Sequence, residues 1–300
     1  METILLTGAN GLLGQKITKL SLDRPAIKLI ATSKGNNKNP LRGGYLYHPL
    51  DITDFNELQK AFEKFKPTAV INSAAMTNVD ACELNPDQSK SLNVSAVQSL
   101  CELCKIYNAR LIHISTDFIF DGEKGPYKET DKPNPLSVYG KHKLDAENIV
   151  LNASIPHTIL RTVLLYGTVP DLSRTNIVLW VKDSLTAQKN INVVTDQFRT
   201  PTFAEDLADG VMLVLLNKAS GIYNISGAEQ FSIHDIATRV ADFWKLDKTL
   251  ITPTSSQTLS QPAKRPPKTG FIILKAQSEL NYPPHTFFEG LTILDRQLKD

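Results

Sequence analysis

The first fourteen residues limit most tightly what this chain can become. A short apolar run, Ile4-Leu5-Leu6-Thr7, leads directly into Gly8-Ala9-Asn10-Gly11-Leu12-Leu13-Gly14, and residues Leu12 to Leu22 carry helical spacing. Strand, glycine turn and helix in that order form the context that a dinucleotide requires. The glycines let backbone approach a pyrophosphate, while the helix N-terminus supplies N–H donors and partial positive charge. The alternative is a tight turn with no ligand, and the rest of the chain decides between them.

The same alternation continues to about residue 165. Ile27–Thr32, Tyr45–His48, Ala69–Asn72, Leu111–Ile114 and Thr158–Arg161 read as further strands. Helical patterns fall near Phe55–Phe65 and Asp87–Tyr107, the latter with Leu92, Ala96, Leu100 and Leu103 on one face. Strands apolar on both faces, separated by helices, predict an α/β fold: a doubly wound parallel (Rossmann) sheet. After Tyr166 the pattern loosens, with helices expected near Asn176–Ala187, Ala204–Leu216 and Ile233–Phe243 and a long loop over Pro253–Lys268. Residues 1–165, joined by about 195–220, are assigned to the dinucleotide-binding domain. Residues 166–194 and 221–300 are assigned to a smaller C-terminal substrate-binding lobe.

Bulk properties narrow the partners. A net charge of +2 with scattered Lys and Arg gives no footprint for nucleic acid or an acidic membrane. No apolar run approaches membrane-spanning length. The first strand starts so early that no signal peptide is expected, so a cytoplasmic location is the expectation. Three cysteines, Cys82, Cys101 and Cys104, suit a reducing compartment. Cys101-Glu-Leu-Cys104 lies inside a helical stretch with no second pair, which favours packing over redox or zinc chemistry.

Candidate site residues fall at strand ends. Gly8, Asn10, Gly11, Leu12, Leu13 and Gly14 form the cofactor turn. The second strand ends in Thr32-Ser33-Lys34, where an NAD enzyme would carry a carboxylate for the ribose hydroxyl. Ser33 and Lys34 suit a 2′-phosphate instead and point to NADP, with NAD as the alternative. Asp51 and Ile52 are placed at the adenine, with a turn or helix cap as the other reading of Asp51. Small residues Ser73, Ala74 and Ala75 let backbone pass close to the cofactor, and Asn93 completes that set. Ser115-Thr116-Asp117 ends the fifth strand at the sheet edge where ligands of open α/β folds bind. Thr116 is a candidate donor to a substrate carbonyl, with Asp117 and Phe118 beside it.

Tyr139 and Lys143 lie four apart behind Pro133, Pro135 and Ser137, which mark a helix start. Residues so spaced share a helix face, and an ammonium near a phenol favours the phenolate. Thr116, Tyr139 and Lys143 thus read as the catalytic set of a nicotinamide-dependent enzyme.

Taken together, these segments resemble an extended short-chain dehydrogenase/reductase, and more narrowly the dTDP-4-dehydrorhamnose reductase (sugar-nucleotide-binding) family. The resemblance runs through Thr7–Gly14, Leu50–Thr53, Asn72–Ala75 with Val79-Asp80, and Ile114–Gly122. It continues through Tyr139–Lys143, Leu160–Thr162 with Tyr166-Gly167, Asp196–Thr202 and Arg265-Pro266, covering nearly the whole chain. It implies NADPH-dependent reduction of a 4-keto nucleotide-linked deoxysugar. Tyr139 would protonate the developing alkoxide, Lys143 would bind the nicotinamide ribose, and Thr116 would orient the ketone. Arg199 and Arg265 would hold the substrate diphosphate, a task suited to the guanidinium fork.

The chain also departs from that family. Val163-Leu164 stands where the rhamnose-pathway reductases usually carry Ser-Trp, which leaves the sugar open. Gln15-Lys16 replaces a metal-binding glutamate, so no metal site is expected. Phe118 follows Asp117 where a nucleotide-sugar dehydratase has a second carboxylate. An epimerase remains an alternative, as does a non-catalytic NADP-binding regulatory subunit resembling that of methionine adenosyltransferase. The oligomeric state, monomer or homodimer, also stays open.

Overall fold

The computed structural model describes residues 2–171 and 175–299. Its first half alternates as the apolar pattern requires: β1 (Glu2–Thr7), α1 (Leu12–Leu22), β2 (Ile27–Ser33), β3 (Leu46–Pro49), α2 (Phe55–Phe65) and β4 (Ala69–Asn72). Next come α3 (Val79–Leu84), α4 (Pro86–Lys90), a π-helical turn over Ser91–Ser95, and α5 (Ala96–Ile106). The long helix expected over Asp87–Tyr107 is therefore continuous but widened and underwound at that π turn. β5 (Arg110–Thr116), α6 (Val138–Asn152) and β6 (His157–Thr162) complete the half.

The second half is more broken. It runs β7 (Leu165–Tyr166), α7 (Ile177–Thr186), β8 (Ile191–Val194), β9 (Phe198–Arg199), β10 (Thr202–Phe203) and α8 (Ala204–Leu216). β11 (Gly221–Asn224), β12 (Phe231–Ser232), α9 (Ile233–Trp244), β13 (Ile251–Thr254), α10 (Leu274–Leu280) and α11 (Phe287–Gln297) follow.

Seven parallel strands form the main sheet in the order β3-β2-β1-β4-β5-β6-β11. The order reverses between β1 and β4, and ligands of such sheets bind in the crevice outside the carboxyl ends at that switch point. Helices cover both faces. Ile4, Leu6 and Ile112 pack on Leu13 and Ile17 of α1 and Leu207 and Val211 of α8. Leu5, Val70 and Leu111 pack on Leu58 of α2, Leu100 of α5 and Ala146 of α6. The two-sided burial explains why these strands show no polar alternation. Cys101 and Cys104 sit in that second layer as free thiols, and burial pushes Cys101 up to about 12, so the helical cysteines pack as expected.

A third apolar cluster builds the smaller lobe from Val178 and Val181 of α7, Ile236 and Val240 of α9, and Leu291 and Leu294 of α11. One assignment needs correcting. Residues Gly221–Asn224, placed in the lobe from sequence, pair with Thr158–Arg161 and form the edge of the main sheet. The loop predicted over Pro253–Lys268 is shortened at its start, because Ile251–Thr254 pairs with Ile191–Val194.

Candidate active site

The site is built where β1, β4 and β5 end. Gly8 turns the chain at φ 70, and a Cβ there would sit 2.7 Å from the amide nitrogen of Ala74. A Cβ on Gly14 would lie 2.3 Å from the Gly8 carbonyl oxygen, so α1 starts hard against the turn. Gly11 is the N-cap of α1 and offers no side-chain acceptor, and the first turn carries no acidic residue. By contrast α2, α6, α7, α9 and α11 are each capped by a side chain. The N-terminus of α1 thus keeps its orphan N–H groups and partial charge for an outside anion. Leu12 and Leu13 begin this helix, with Leu13 buried in the core.

Asn10, expected at the cofactor turn, also braces that turn. Its Nδ2 donates to the Asn36 carbonyl (2.8 Å) and the Tyr47 hydroxyl (3.2 Å), while its Oδ1 accepts from Lys38 N–H (2.9 Å). The side chain ties the turn to the loop after β2 and is already engaged. At that strand end Lys34 donates to Asp51 at 2.8 Å while its side chain stays 83% exposed. The hydrogen bond from Lys34 holds the Asp51 carboxyl down at about 2, helped by Thr53. Asp51 also accepts from Thr53 N–H (3.0 Å) and Oγ1 (2.7 Å), so the turn reading of this residue is realised. Ile52 beside it is buried.

Ser73 donates to the Thr7 carbonyl at 2.6 Å, and Ala74 N–H reaches Thr7 Oγ1 at 3.3 Å, stitching Ser73-Ala74-Ala75 to the glycine turn. Asn93, on the π turn, brackets Met76 with both ends of its amide: Oδ1 accepts from Met76 N–H (2.9 Å) and Nδ2 donates to its carbonyl (3.0 Å). It shapes the loop beside the crevice through that pair of bonds.

Thr116 closes β5. Its hydroxyl accepts from Phe118 N–H (3.3 Å) and donates to Asp117 (3.2 Å), which starts the helical turn over Asp117–Ile119. Ser137 caps α6 by accepting from Gly140 N–H at 3.2 Å, as the sequence anticipated. Gly140 then lets the helix press on the Asp117–Ile119 turn, since a Cβ there would be 2.2 Å from the Phe118 carbonyl oxygen. The contact sets the Tyr139 ring edge-on to the Phe118 ring, with centroids 5.8 Å apart. Val79, Cys82 and Ala263 complete the apolar wall around Tyr139.

One turn on, Lys143 is 2% exposed and donates to the Ile114 carbonyl at 2.6 Å. Burial lowers its ammonium to about 8, against the pull of Glu147. A lysine that exchanges its proton near neutral pH beside a tyrosine is suited to acid–base work. Lys143 also lies 3.2 Å from His113 Nε2, a residue that sequence reasoning missed. The signal was there: a histidine inside an otherwise apolar strand.

The two arginines proposed for a diphosphate are both engaged within the protein. Arg199 is 3% exposed, donates to the carbonyls of Phe198 (2.7 Å), Pro266 (2.8 Å) and Pro267 (3.3 Å), and lies 3.7 Å from Asp117. It is a buried clamp joining the chain before Lys268 to the end of β5, and its place as an open phosphate anchor is corrected accordingly. Asp117 is likewise buried, its carboxyl raised by burial against Arg199 and Thr269, so it braces the site from behind. Phe118 lies between the Tyr139 ring and the Arg199 guanidinium. Arg265 forms a forked pair with Asp80 (2.6 and 3.1 Å), and Ala263 N–H also donates to Asp80 at 3.2 Å. This strap carries Ala263 across Tyr139 and leaves Arg265 partly exposed.

Leu164, in the position of the departure noted above, adopts φ 39, a strained conformation for a branched side chain. Gln15 donates to the Asn10 (3.1 Å) and Pro170 (3.3 Å) carbonyls, and Lys16 pairs with Glu205 at 2.6 Å. A polar cleft of about 610 Å³ between Asp121, Tyr127 and Lys132 includes none of these site residues.

The family described as the RmlD substrate binding domain matches residues 1–298. A dTDP-4-dehydrorhamnose reductase from Aggregatibacter actinomycetemcomitans is 33% identical over 310 residues, covering 97% of each chain. The crystal structure of a dTDP-4-dehydrorhamnose reductase from Clostridium acetobutylicum matches with a TM-score of 0.87 at 31% identity, covering 99% of this chain and 100% of that one. Methionine adenosyltransferase 2 subunit beta from Xenopus laevis is 31% identical over 263 residues, or 84% of this chain and 75% of its own length.

Proposed function

This chain belongs to the RmlD substrate binding domain family, and from that membership we propose that it is an NADPH-dependent reductase of a 4-keto nucleotide-linked deoxysugar. The observation that carries the reading is local. The uncapped N-terminus of α1, the Thr116 strand end and the Tyr139–Lys143 face of α6 meet at the switch point of one sheet. The cradle at Gly8 and Gly14 fits a dinucleotide, since a side chain at either position would fill the space the backbone turn needs.

NADPH, when bound, supplies the hydride. The N–H groups at the start of α1 would hold its pyrophosphate, and Ser33 with Lys34, now paired with Asp51, would hold its 2′-phosphate. Thr116 turns its hydroxyl from Asp117 to the ketone oxygen, and Tyr139 gives its phenolic proton to the same oxygen as charge develops. Lys143 holds positive charge behind them and steadies the ribose. The strap pinned by Asp80 and Arg265 lies over Tyr139, so a sugar nucleotide reaching the phenol contacts the strap as well.

A second reading has specific support. Relatives at 31% identity are beta subunits of methionine adenosyltransferase 2, and Arg199 is engaged internally. Mixing the protein with NADPH and dTDP-4-dehydrorhamnose, then following absorbance of the reduced cofactor, separates the two. Steady loss of absorbance is expected of the reductase. Unchanged absorbance with a panel of nucleotide-linked ketosugars, despite tight NADPH binding, would favour the regulatory role. A stereoisomer of the added sugar with no net cofactor oxidation would indicate an epimerase.

A further inference from the structure

Three neighbouring strands place polar residues in one row. Thr7, Asn72 and His113 are direct register partners on β1, β4 and β5, and each is at most 1% exposed. Thr7 Oγ1 lies 2.7 Å from Asn72 Oδ1, Asn72 Nδ2 lies 3.2 Å from His113 Nδ1, and His113 Nε2 lies 3.2 Å from Lys143 Nζ. The row thus runs from the residue before Gly8 to the lysine of the candidate catalytic set, across the three central strands of the sheet.

We propose that His113 is a positioning residue for Lys143: with Asn72 and Thr7 it forms a hydrogen-bond row whose polarity reverses as Lys143 gains or loses its proton. A neutral imidazole has one donor and one acceptor, and the Asn amide can turn to present either its oxygen or its nitrogen. With Lys143 as ammonium, its N–H donates to His113 Nε2. His113 Nδ1–H then donates to the Asn72 oxygen, and the Asn72 nitrogen donates to Thr7 Oγ1. With Lys143 as amine, every bond runs the other way. The Thr7 hydroxyl donates to Asn72 Oδ1, Asn72 Nδ2 donates to His113 Nδ1, and His113 Nε2–H donates to the Nζ lone pair.

The change balances simply. One proton leaves the row for bulk solvent: Nε2 takes the proton that Lys143 gives up, and Nδ1 loses its own to solvent, so the imidazole stays neutral. In both arrangements each of the three contacts keeps a donor facing an acceptor, which matters because an unsatisfied group this deeply buried costs about 1–3 kcal/mol. Lys143 keeps its bond to the Ile114 carbonyl as ammonium, so His113 fixes the second direction of Nζ.

The surroundings suit this role. Glu147 lies one turn beyond Lys143 but is held by Arg161 of β6 at 2.7 Å, and Tyr139 lies one turn before. β1 and β4 offer the row only the neutral Thr7 and Asn72. Burial and the nearby Lys143 push His113 well below its ordinary range, so a charged imidazolium plays no part. Burial lowers the Lys143 ammonium to about 8, which brings its loss of a proton into the range that the titration below covers.

The test is spectroscopic first. Full-length protein labelled with ¹⁵N-histidine and ¹³C-lysine is titrated from about pH 6.5 to 9.5, with His113→Gln assigning the His113 signals. The expected result is a change from the Nδ1–H to the Nε2–H tautomer with the midpoint of Lys143. One unchanging tautomer while Lys143 titrates would overturn the proposal. The kinetic half rests on the reductase reading. His113→Leu is expected to lower kcat by about tenfold or more and move the pH midpoint, with a smaller change in KM for NADPH. His113→Gln, whose amide can present either atom to Lys143, should recover most of both. A folded His113→Leu protein with unaltered kcat and pH midpoint would count against it. Because the titration needs no substrate, a coupled tautomer change in a protein that oxidises no NADPH would defeat the reductase reading and leave this inference standing.

Discussion

At the scale of single residues, the chemistry rests on groups made unusual by where they are buried. Tyr139→Phe removes the proton donor while the ring still packs on Phe118 and Ala263. Turnover should fall by about 100-fold to 10,000-fold while NADPH affinity, measured by fluorescence titration, changes little. Unimpaired turnover would remove Tyr139 from its role. Lys34→Ala tests cofactor choice: affinity for NADPH should drop by about tenfold, with NADH unaffected. Equal effects on both cofactors would mean that the exposed ammonium does not meet the 2′-phosphate. The placement of the candidate catalytic set could be read from sequence because its spacing is local: a strand-end Thr116 and a pair four apart on one helix. The engagement of Arg199 and Arg265 could not be read, because their partners Pro266, Pro267 and Asp80 lie far along the chain or are backbone carbonyls. His113 was passed over for a related reason: its partners Asn72 and Thr7 become neighbours only once the strand order is known.

At the scale of elements, the site depends on how closely α6 lies on the end of β5. Gly140→Ala would set a methyl 2.2 Å from the Phe118 carbonyl oxygen, so the helix must shift or tilt. Turnover should fall at least tenfold with NADPH binding largely kept, because the glycine turn lies on another element. A protein with normal turnover would show that the fit of α6 on that turn is not what places Tyr139. Helix ends were legible where sequence supplies a cap, as at Asp54 for α2 and Ser137 for α6. The short strand Gly221–Asn224 was not, because four residues with a leading glycine carry little periodic signal and gain their strand character from pairing with β6. The π turn over Ser91–Ser95 is equally silent in sequence, though it is what brings Asn93 round to Met76.

Across the whole molecule, two apolar layers and a third cluster in the smaller lobe stabilise a sheet that carries a buried, costly lysine. Lys143 has a lowered pKa in the folded protein, at about 8 against 10.5 for the free side chain. Between those values the unfolded chain binds a proton that the folded protein has released, so this residue makes stability rise with pH through that window. Lys143→Met should therefore unfold at a higher temperature than the parent at pH 7 and lack the parent's gain between about pH 8 and 10. Its turnover should be largely lost, the cost in stability being the counterpart of function. A variant less stable than the parent at pH 7 would contradict this view of the buried ammonium. Most of the main sheet was legible because both-sided burial leaves uninterrupted apolar strands. The smaller lobe was less so, its two-residue strands being held together by contacts distant in sequence.

The central claim is that hydride passes from a nicotinamide to a sugar ketone at the Thr116–Tyr139–Lys143 site. It is tested most directly by supplying NADPH deuterated at the nicotinamide C4, turn by turn in each of its two stereochemical forms, together with dTDP-4-dehydrorhamnose, and analysing the product by mass spectrometry and NMR. The account predicts one deuterium at sugar C4 from one form and none from the other, with transfer largely abolished in Tyr139→Phe. Cofactor bound tightly, with no deuterium reaching any of a panel of nucleotide-linked ketosugars, would contradict it.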